Sequence, residues 1–457
     1  MAWNIVIAGG GFGGLFAART LERVLPAHAA RVTLVDDANF MLYTSLMPGA
    51  AGGTLEPRHV VVPLRRELRG DTDVRLGRIV GADPERKVVR VLAPDPGSAP
   101  GGDTGDGTYE LPYDHLIVAL GSISRTAPVP GLAEHAVGFK TLADAIALRN
   151  RVLHTLEVAE GTEDPAERRA QLTYVFSGGG YAGVEALAEL QDLAADALDR
   201  YPRCRLHGMR WIMVEARERV MGEVPADLSD FATRELRARG IEVLVSTRLE
   251  QAGADHVVLS TGETVPCRTV VWTAGVKAHP TVAELGLPLG MEGRIETDDH
   301  LRVPSVDGVW AIGDSAAVPD PARPGYPCPP TAQHAMRQGR RVGENVAAAL
   351  GSGRSRPFTY KTLGFFAELG RHQAVASVLG VKLRGFPAWF LTRTYHLLRI
   401  PGLGRKVRLV TDWTVGLLFG RDASELGQLG HPQPLGGGAD PAGGVGAARE
   451  DAKDAPN

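Results

Sequence analysis

The sequence predicts an α/β protein with two Rossmann-like dinucleotide-binding domains and a C-terminal membrane-associating region. Three observations carry this reading. A strand, a glycine cluster and a helix open the chain, the same unit returns near Leu172, and the composition turns basic and aromatic from residue 356. The 457 residues suit about two or three domains and a core that needs no disulfides. Hydrophobic residues make up 44% and charged residues 23%, which excludes collagen-like, coiled-coil and wholly disordered classes. A net charge of −3 argues against a nucleic-acid-binding chain.

The first unit runs from the apolar strand Asn4–Ala8 through Gly9-x-Gly11-x-x-Gly14 into a helix. A second strand then ends at Asp36. Glycines there permit a tight turn, close backbone approach to a pyrophosphate and helix–strand packing. The helix N-terminus offers free N–H groups to phosphate, and Asp36 stands where a carboxylate accepts from ribose hydroxyls. A Pro/Gly/Asp-rich loop at 94–103 reads as a surface excursion between two strands, and 113–122 reads as a buried strand ending in a turn.

The second unit carries Gly178-x-Gly180-x-x-Gly183, with Glu185 just inside the helix and Glu215 at the end of the next strand. The interval to Glu215 is longer than its counterpart, so an extra crossover through Arg200-Tyr201-Pro202 is expected. A carboxylate at Glu215 favours a free 2′-hydroxyl and hence NADH, while Arg217 and Arg219 could tolerate a 2′-phosphate. The bland alternatives are a solvated helix residue for Glu185 and a surface charge for Glu215. Cys204, Cys267 and Cys328 form no CxxC, so no disulfide framework, zinc site or other metal site is expected. No signal peptide and no apolar run long enough to span a membrane is visible.

Between Arg371 and Arg421 stand nine Lys and Arg and one acid, Asp412. Trp389, Phe390 and Tyr395 are interleaved with leucines and arginines, a mixture that suits an interfacial helix on an anionic leaflet. An ordinary docking helix is the competing reading.

Several segments together resemble the type II NADH:quinone oxidoreductases, two-domain flavoproteins of the pyridine nucleotide–disulfide oxidoreductase superfamily. They are GGGFGG (9–14), NFMLYTSLMPGAAGGTLEPRHVVVPLR (39–65), YDHLIVALGS (113–122), SGGGYAGVE (177–185), VVWTAGVKAHP (270–280), VWAIGDSAAV (309–318), PPTAQHAMRQG (329–339) and FTYKTLGFFAELGRHQAVA (358–376). The resemblance implies that the first loop binds non-covalent FAD and the second binds NADH as substrate. It implies that Asp314 holds the ribityl chain, although a helix N-cap is an ordinary role for Asp. Ala119, Leu120 and Gly121 would lie close to the flavin, Gly275 near the nicotinamide, and Glu185 between nicotinamide and flavin. Gln333 and Gln338 fall on the quinone-site motif, where an amide can serve a quinone carbonyl without a charge; otherwise they are two helix-surface glutamines. His334 and Arg337 lie beside them. Tyr181-Ala182 stands where many relatives carry Pro-Thr. The stretch near Met41 to Pro48 lacks the cysteine pair of the disulfide reductases, which excludes a dithiol relay.

The expected domains are FAD-binding at 1–140 and 285–355, NADH-binding at 141–284, a membrane and quinone side at 356–430, and a disordered tail at 431–457. The expected activity is FAD-dependent, non-proton-pumping transfer of electrons from NADH to a membrane quinone. The expected location is peripheral, through 371–421, at the cytoplasmic face of the cell membrane, with a homodimer possible. A soluble NAD(P)H reductase of another acceptor and a slow NADH-sensing flavoprotein are the alternatives.

Overall fold

Strand β1 (Trp3–Ala8) buries Ile5, Val6, Ile7 and Ala8, the unbroken apolar run that a strand covered on both faces requires. The computed structural model describes residues 2–95, 107–360, 362 and 364–426. The expected tail at 431–457 and most of the excursion at 94–103 lie outside the described residues. Helix α1 (Phe12–Val24) follows the first glycines, then β2 (Ala30–Asp36), β3 (Thr72–Leu76) and β4 (His115–Val118). The short β5 (Ser122–Ser124) leaves this body.

The second body contains β6 (Ala136–Gly138), α2 (Leu142–Gly161), β7 (Thr173–Ser177), α3 (Tyr181–Ala197), β8 (Arg210–Val214), α4 (Ala226–Ala238), β9 (Ile241–Leu244) and β10 (Thr269–Trp272). A short helix at Pro202–His207 supplies the extra crossover before β8. The chain returns through β11 (Val276–Ala278), which pairs antiparallel with β5. It then adds β12 (Val309–Ala311) to the first sheet beside β4.

The two five-stranded sheets have matching orders, β12-β4-β1-β2-β3 and β6-β10-β7-β8-β9, and all pairs within them are parallel. In each, the glycine loop leaves the carboxyl end of the central strand where the strand order reverses, the usual ligand crevice of such sheets. One boundary moves. A division at 140 leaves β6 with the first domain, but β6 hydrogen-bonds to β10 in the second sheet, because the chain has already crossed at β5.

Helix α5 (Ala332–Ala349) lies against α1 at glycine-only distance. A Cβ at Gly339 would overlap the backbone carbonyl of Gly13, and one at Gly343 would crowd Thr20. The glycine ending PPTAQHAMRQG is therefore what lets α5 close over the first loop.

The C-terminal region is a three-stranded antiparallel sheet, β13 (Gly364–Glu368), β14 (Ala374–Val378) and β15 (Val381–Arg384), followed by α6 (Gly385–Arg399) and α7 (Leu403–Leu418). The docking reading of 386–400 accounts for one face of α6, and the opposite face is exposed. The helix docks with Ala388, Trp389 and Thr392 inward and leaves Phe386, Phe390 and Leu398 exposed. Trp389 thus corrects the expectation of an outward aromatic: it packs edge-on against His372 under the Arg393 guanidinium. Tyr395 stacks on Phe366. Helix α7 fully buries Leu409 alone and exposes Leu403, Val407, Val410 and Leu417 at helical spacing, 45–79% accessible.

The basic surplus is also smaller than its count. Arg371, Lys382, Arg384, Arg393, Arg405 and Arg421 all pair with acids of the body. Arg399, Lys406 and Arg408 form no ion pair among the described residues. They flank the α6–α7 junction.

His396 on α6 faces Tyr43, whose hydroxyl lies 3.4 Å from its Nδ1. Burial pulls its pKa down to about 4. The neutral form is the one folding accommodates, so its contribution is complete above the ordinary value of 6.5 and is lost as pH falls toward 4. Thermal unfolding should show stability declining across that window, and His396→Phe should flatten this part of the decline. An unchanged slope in the variant would contradict the assignment.

Candidate functional site

The two glycine loops are built alike. Gly9 and Gly178 take positive φ values, 107° and 116°, which favour glycine, and a Cβ on either would run into the backbone after the neighbouring strand, at Ala119 and at Thr273-Ala274. A Cβ on Gly14 or Gly183 would overlap the carbonyl oxygen of Gly9 or Gly178. The middle glycines differ. Gly11 and Gly180 precede α1 and α3 in extended conformation, and a Cβ on either meets nothing within 4 Å. The fold itself does not require glycine there. The space before each helix N-terminus is open, and no side chain caps either helix.

The strand-end carboxylates close both loops. Asp36 accepts from the backbone N–H of Gly10, and from that of Ala38 at 2.8 Å. Burial pushes its pKa up to about 6 against the pull of those hydrogen bonds. Glu215 accepts from Gly179 N–H at 2.7 Å and from Arg217 N–H at 2.8 Å. Arg217 and Arg219 are exposed. Thr273, which sequence reasoning passed over beside Gly275, donates its hydroxyl to the Gly178 carbonyl at 2.8 Å.

Gly121 and Gly275, with φ of 71° and 95°, mark the two turns where the chain crosses between the bodies. Arg125 N–H donates to the Gly275 carbonyl and His279 N–H to that of Gly121. Asp314 is not a helix N-cap: the short turn Gly313–Ser315 is preceded by Ile312, with no side-chain cap. Its carboxylate accepts instead from Ser122 Oγ at 2.6 Å and lies 3.7 Å from Lys140 Nζ. Lys140 carries no motif of its own, and neither it nor Ser122, the last residue of YDHLIVALGS, was singled out as a site residue in the sequence.

The structure separates the two glutamines. Gln338 is 1% exposed, and its Oε1 accepts from the Gly313 N–H at 2.7 Å, next to Asp314. The amide oxygen thereby helps to shape the Asp314 loop. Gln333, at the start of α5, accepts from Tyr360 O–H at 2.7 Å. Tyr360 also packs on His334 and lies under Arg337. His334 bonds Thr331 Oγ1, the cap of α5, and burial lowers its pKa. Gln338→Ala leaves the Gly313 N–H unpaired, at a cost of about 1–3 kcal/mol. Thermal stability should fall in that variant; an unchanged Tm would oppose a role for this bond in holding the Asp314 loop.

Glu185, one turn into α3, approaches the C-terminal sheet. Its Oε1 accepts from the backbone N–H of Glu368 at 3.1 Å. Burial raises both carboxyls, Glu185 to about 8 and Glu368 to about 7, with Arg393 holding Glu368 down. The two line a cavity of about 20 Å³ together with Thr54, Thr392, Arg393 and Trp413. The three cysteines are free and buried, and Cys328 donates to the Pro319 carbonyl.

The family model for pyridine nucleotide-disulphide oxidoreductases matches residues 3–339. The chain is 28% identical to a probable NADH dehydrogenase of Dictyostelium discoideum, over 93% of this chain and 91% of that protein. It is 30% identical to the type II NADH:quinone oxidoreductase NdhA of Mycobacterium tuberculosis, over 91% of this chain and 87% of that protein. Among solved structures, that of NDH2 from Plasmodium falciparum in complex with NADH superposes with a TM-score of 0.82. It covers 93% of this chain and 100% of that one at 18% identity, a likeness of fold. With duplicated glycine loops, matched sheet orders and near full-length similarity, the chain belongs to the pyridine nucleotide-disulphide oxidoreductase family and, within it, to the type II NADH:quinone oxidoreductases.

Proposed function

We propose that this chain oxidises NADH and delivers the electrons through a non-covalent FAD to a membrane quinone, without pumping protons, while attached to the cytoplasmic face of a cell membrane. The observation that carries the reading is the pair of loops in which Gly11 and Gly180 are kept free of side chains that the fold would accommodate. The residues present fit the two dinucleotides. Gly9, Gly11, Gly14, Asp36, Ala119, Gly121 and Asp314 would hold FAD, and Gly178, Gly180, Gly183, Glu215 and Gly275 would hold NADH. When bound, FAD supplies a two-electron relay between a hydride donor and a quinone. The chain binds each nucleotide at a helix N-terminus, fixes each loop with a strand-end carboxylate, and keeps a protonatable carboxyl, Glu185, at the start of α3. Gln333 offers an uncharged amide at the start of α5.

NADH oxidation by the purified protein with a short-chain quinone, with NADPH as comparison, tests the reading. NADH should be preferred because Glu215 stands at the end of β8. Equal kcat/KM values would mean that the exposed Arg217 or Arg219 dominates. No quinone-dependent turnover would remove the reading.

The exposed faces of α6 and α7 support membrane attachment, and no helix among the described residues is long and apolar enough to cross a membrane. Burying one such side chain contributes about 1.5–3 kcal/mol. The combined change Phe390→Ser, Leu398→Ser and Leu403→Ser should therefore reduce vesicle binding by two decades or more while the protein stays folded. Since most cations are paired, anionic lipid should add only about 1 kcal/mol for each of Arg399, Lys406 and Arg408. Binding that depends wholly on anionic lipid, and survives the triple change, would reverse this account.

A further inference from the structure

The α6–α7 hairpin turns beside a group of arginines that the first body supplies. Arg19 and Arg23 share one face of α1, and Arg337 and Arg340 share one face of α5. The close crossing of these helices at Gly339 and Gly343 brings Arg19 and Arg340 to a single ring, that of Phe16, with guanidinium carbons 5.8 and 4.9 Å from its centre. Helix α6 reaches the same place. Phe12, one turn before Phe16, meets Tyr43 at 5.5 Å between ring centres, and Tyr43 meets His396 at 5.9 Å, one turn before Arg399. On the far flank the Arg66 guanidinium lies 3.8 Å from where a Cβ on Gly404 would stand, at the start of α7.

Few acids answer these charges. Glu22 accepts from the Arg69 backbone N–H and the Thr72 hydroxyl. Glu67 is shared between Arg19 at 3.6 Å and Arg405 at 3.9 Å, and Glu344 is held by Arg341 at 2.8 Å; among the described residues Arg23, Arg66, Arg337, Arg340, Arg399 and Arg408 form no ion pair. Burial, and then the charges of Arg337, Arg399, Arg23 and Arg19, push the pKa of Arg340 down, and no carboxylate opposes them. Such a gathering, in a chain whose net charge is −3, calls for an anionic partner. We infer that the cluster is the headgroup site of one anionic glycerophospholipid, and that it selects a headgroup without an ammonium group. This rests on the membrane attachment proposed above and names the lipid that the attachment engages.

Position and charge together define the occupant. Leu398 and Leu403, 67% and 79% exposed, flank Arg399 at the α6–α7 junction, so acyl chains lying against them carry a phosphate to the arginines. A guanidinium meets two phosphate oxygens at once. These guanidiniums are already oriented: Arg19 and Arg340 by Phe16, Arg337 by Tyr360 at 4.1 Å, and Arg399 by Tyr395 at 5.4 Å. Little side-chain freedom is then lost on binding. A headgroup that carries an ammonium beside its phosphate finds no free carboxylate here, because Glu67 is engaged on both sides, and the arginines repel it. The diffuse field of a bilayer acts through net charge, whereas a local site of one sign tells apart two lipids of equal net charge.

The test compares binding of the full-length protein to phosphatidylcholine vesicles that contain equal minor shares of phosphatidylglycerol or of phosphatidylserine. Both added lipids carry one net negative charge, and only the second carries an ammonium. The wild-type protein should prefer phosphatidylglycerol by about fivefold or more. Arg23→Gln combined with Arg340→Gln should abolish that preference and weaken binding to phosphatidylglycerol vesicles about thirtyfold, roughly fivefold for each charge. Without lipid, this variant should unfold at the wild-type temperature or above it, because repulsion is relieved. Lys382→Gln combined with Arg384→Gln removes two cations already paired with Asp227 and should leave the preference intact. Equal binding of the two lipids by the wild type, or a preference that survives loss of Arg23 and Arg340, would overturn the site. Protection from thermal unfolding by inorganic phosphate equal to that by phosphatidylglycerol vesicles would make the occupant a soluble anion and overturn the lipid assignment. A protein that binds no vesicle loses the proposed attachment as well, whereas binding to pure phosphatidylcholine without any headgroup preference removes the headgroup site alone.

Discussion

Gly11→Val is expected to give a folded, colourless protein. At this position φ is −67° and ψ is −162°, extended backbone that valine adopts without strain, and the added side chain meets nothing in the chain. Apoprotein stability should therefore stay within about 0.5 kcal/mol of wild type. The valine would occupy the space in front of the α1 N-terminus, where a pyrophosphate must approach the backbone. Flavin occupancy should fall to the detection limit and NADH oxidation with it. Gly14→Ala makes the contrast. Its methyl overlaps the Gly9 carbonyl, so the loop itself must open, and the loss should show first in thermal unfolding, by about 1–3 kcal/mol or more. A yellow, fully active Gly11→Val protein would mean that the first loop does not hold the flavin.

Gly180→Val should produce the complementary defect: a yellow protein that NADH cannot reduce. The second loop repeats the geometry of the first, with φ −74° and ψ −176° at Gly180 and no protein atom near the added Cβ. Flavin content should be normal because the first loop is untouched. The kcat/KM for NADH should fall by about two decades or more, equivalent to about 2.7 kcal/mol of lost transition-state stabilisation. Reoxidation by quinone after chemical reduction with dithionite should proceed as in wild type. If instead NADH reduces the variant normally while quinone reoxidation slows, the roles of the two loops are reversed.

Much of this site was legible in the residues because it is made of backbone. Gly9, Gly14, Gly178 and Gly183 are demanded by positive φ or by atoms that a side chain would strike, and such demands appear as glycines at fixed spacing. Asp36 and Glu215 were legible because each is the carboxylate that closes a buried strand, Asp36 as its last residue and Glu215 directly after it. Lys140 was not, since an amine beside Asp314 belongs to no local pattern, and Ser122, although it ends a quoted motif, carries no local sign that it meets Asp314. The contact of Gln338 with the Gly313 N–H was not legible either, because helical spacing cannot tell which side of α5 meets the Gly313 loop.

The sequence by itself determined the two dinucleotide-binding units, their order along the chain, and the presence of an amphipathic C-terminal region, because strand burial, tight turns and helix faces are set by near neighbours. Only the tertiary structure decided which charges remain free and which carboxyls meet. Most of the C-terminal cations are neutralised by acids from elsewhere in the chain, such as Asp192 and Asp227, and Glu368 reaches Glu185 across 183 positions of sequence. Those pairings depend on how α3, α6 and α7 pack around the C-terminal sheet, and no local periodicity records where a long-range contact will fall.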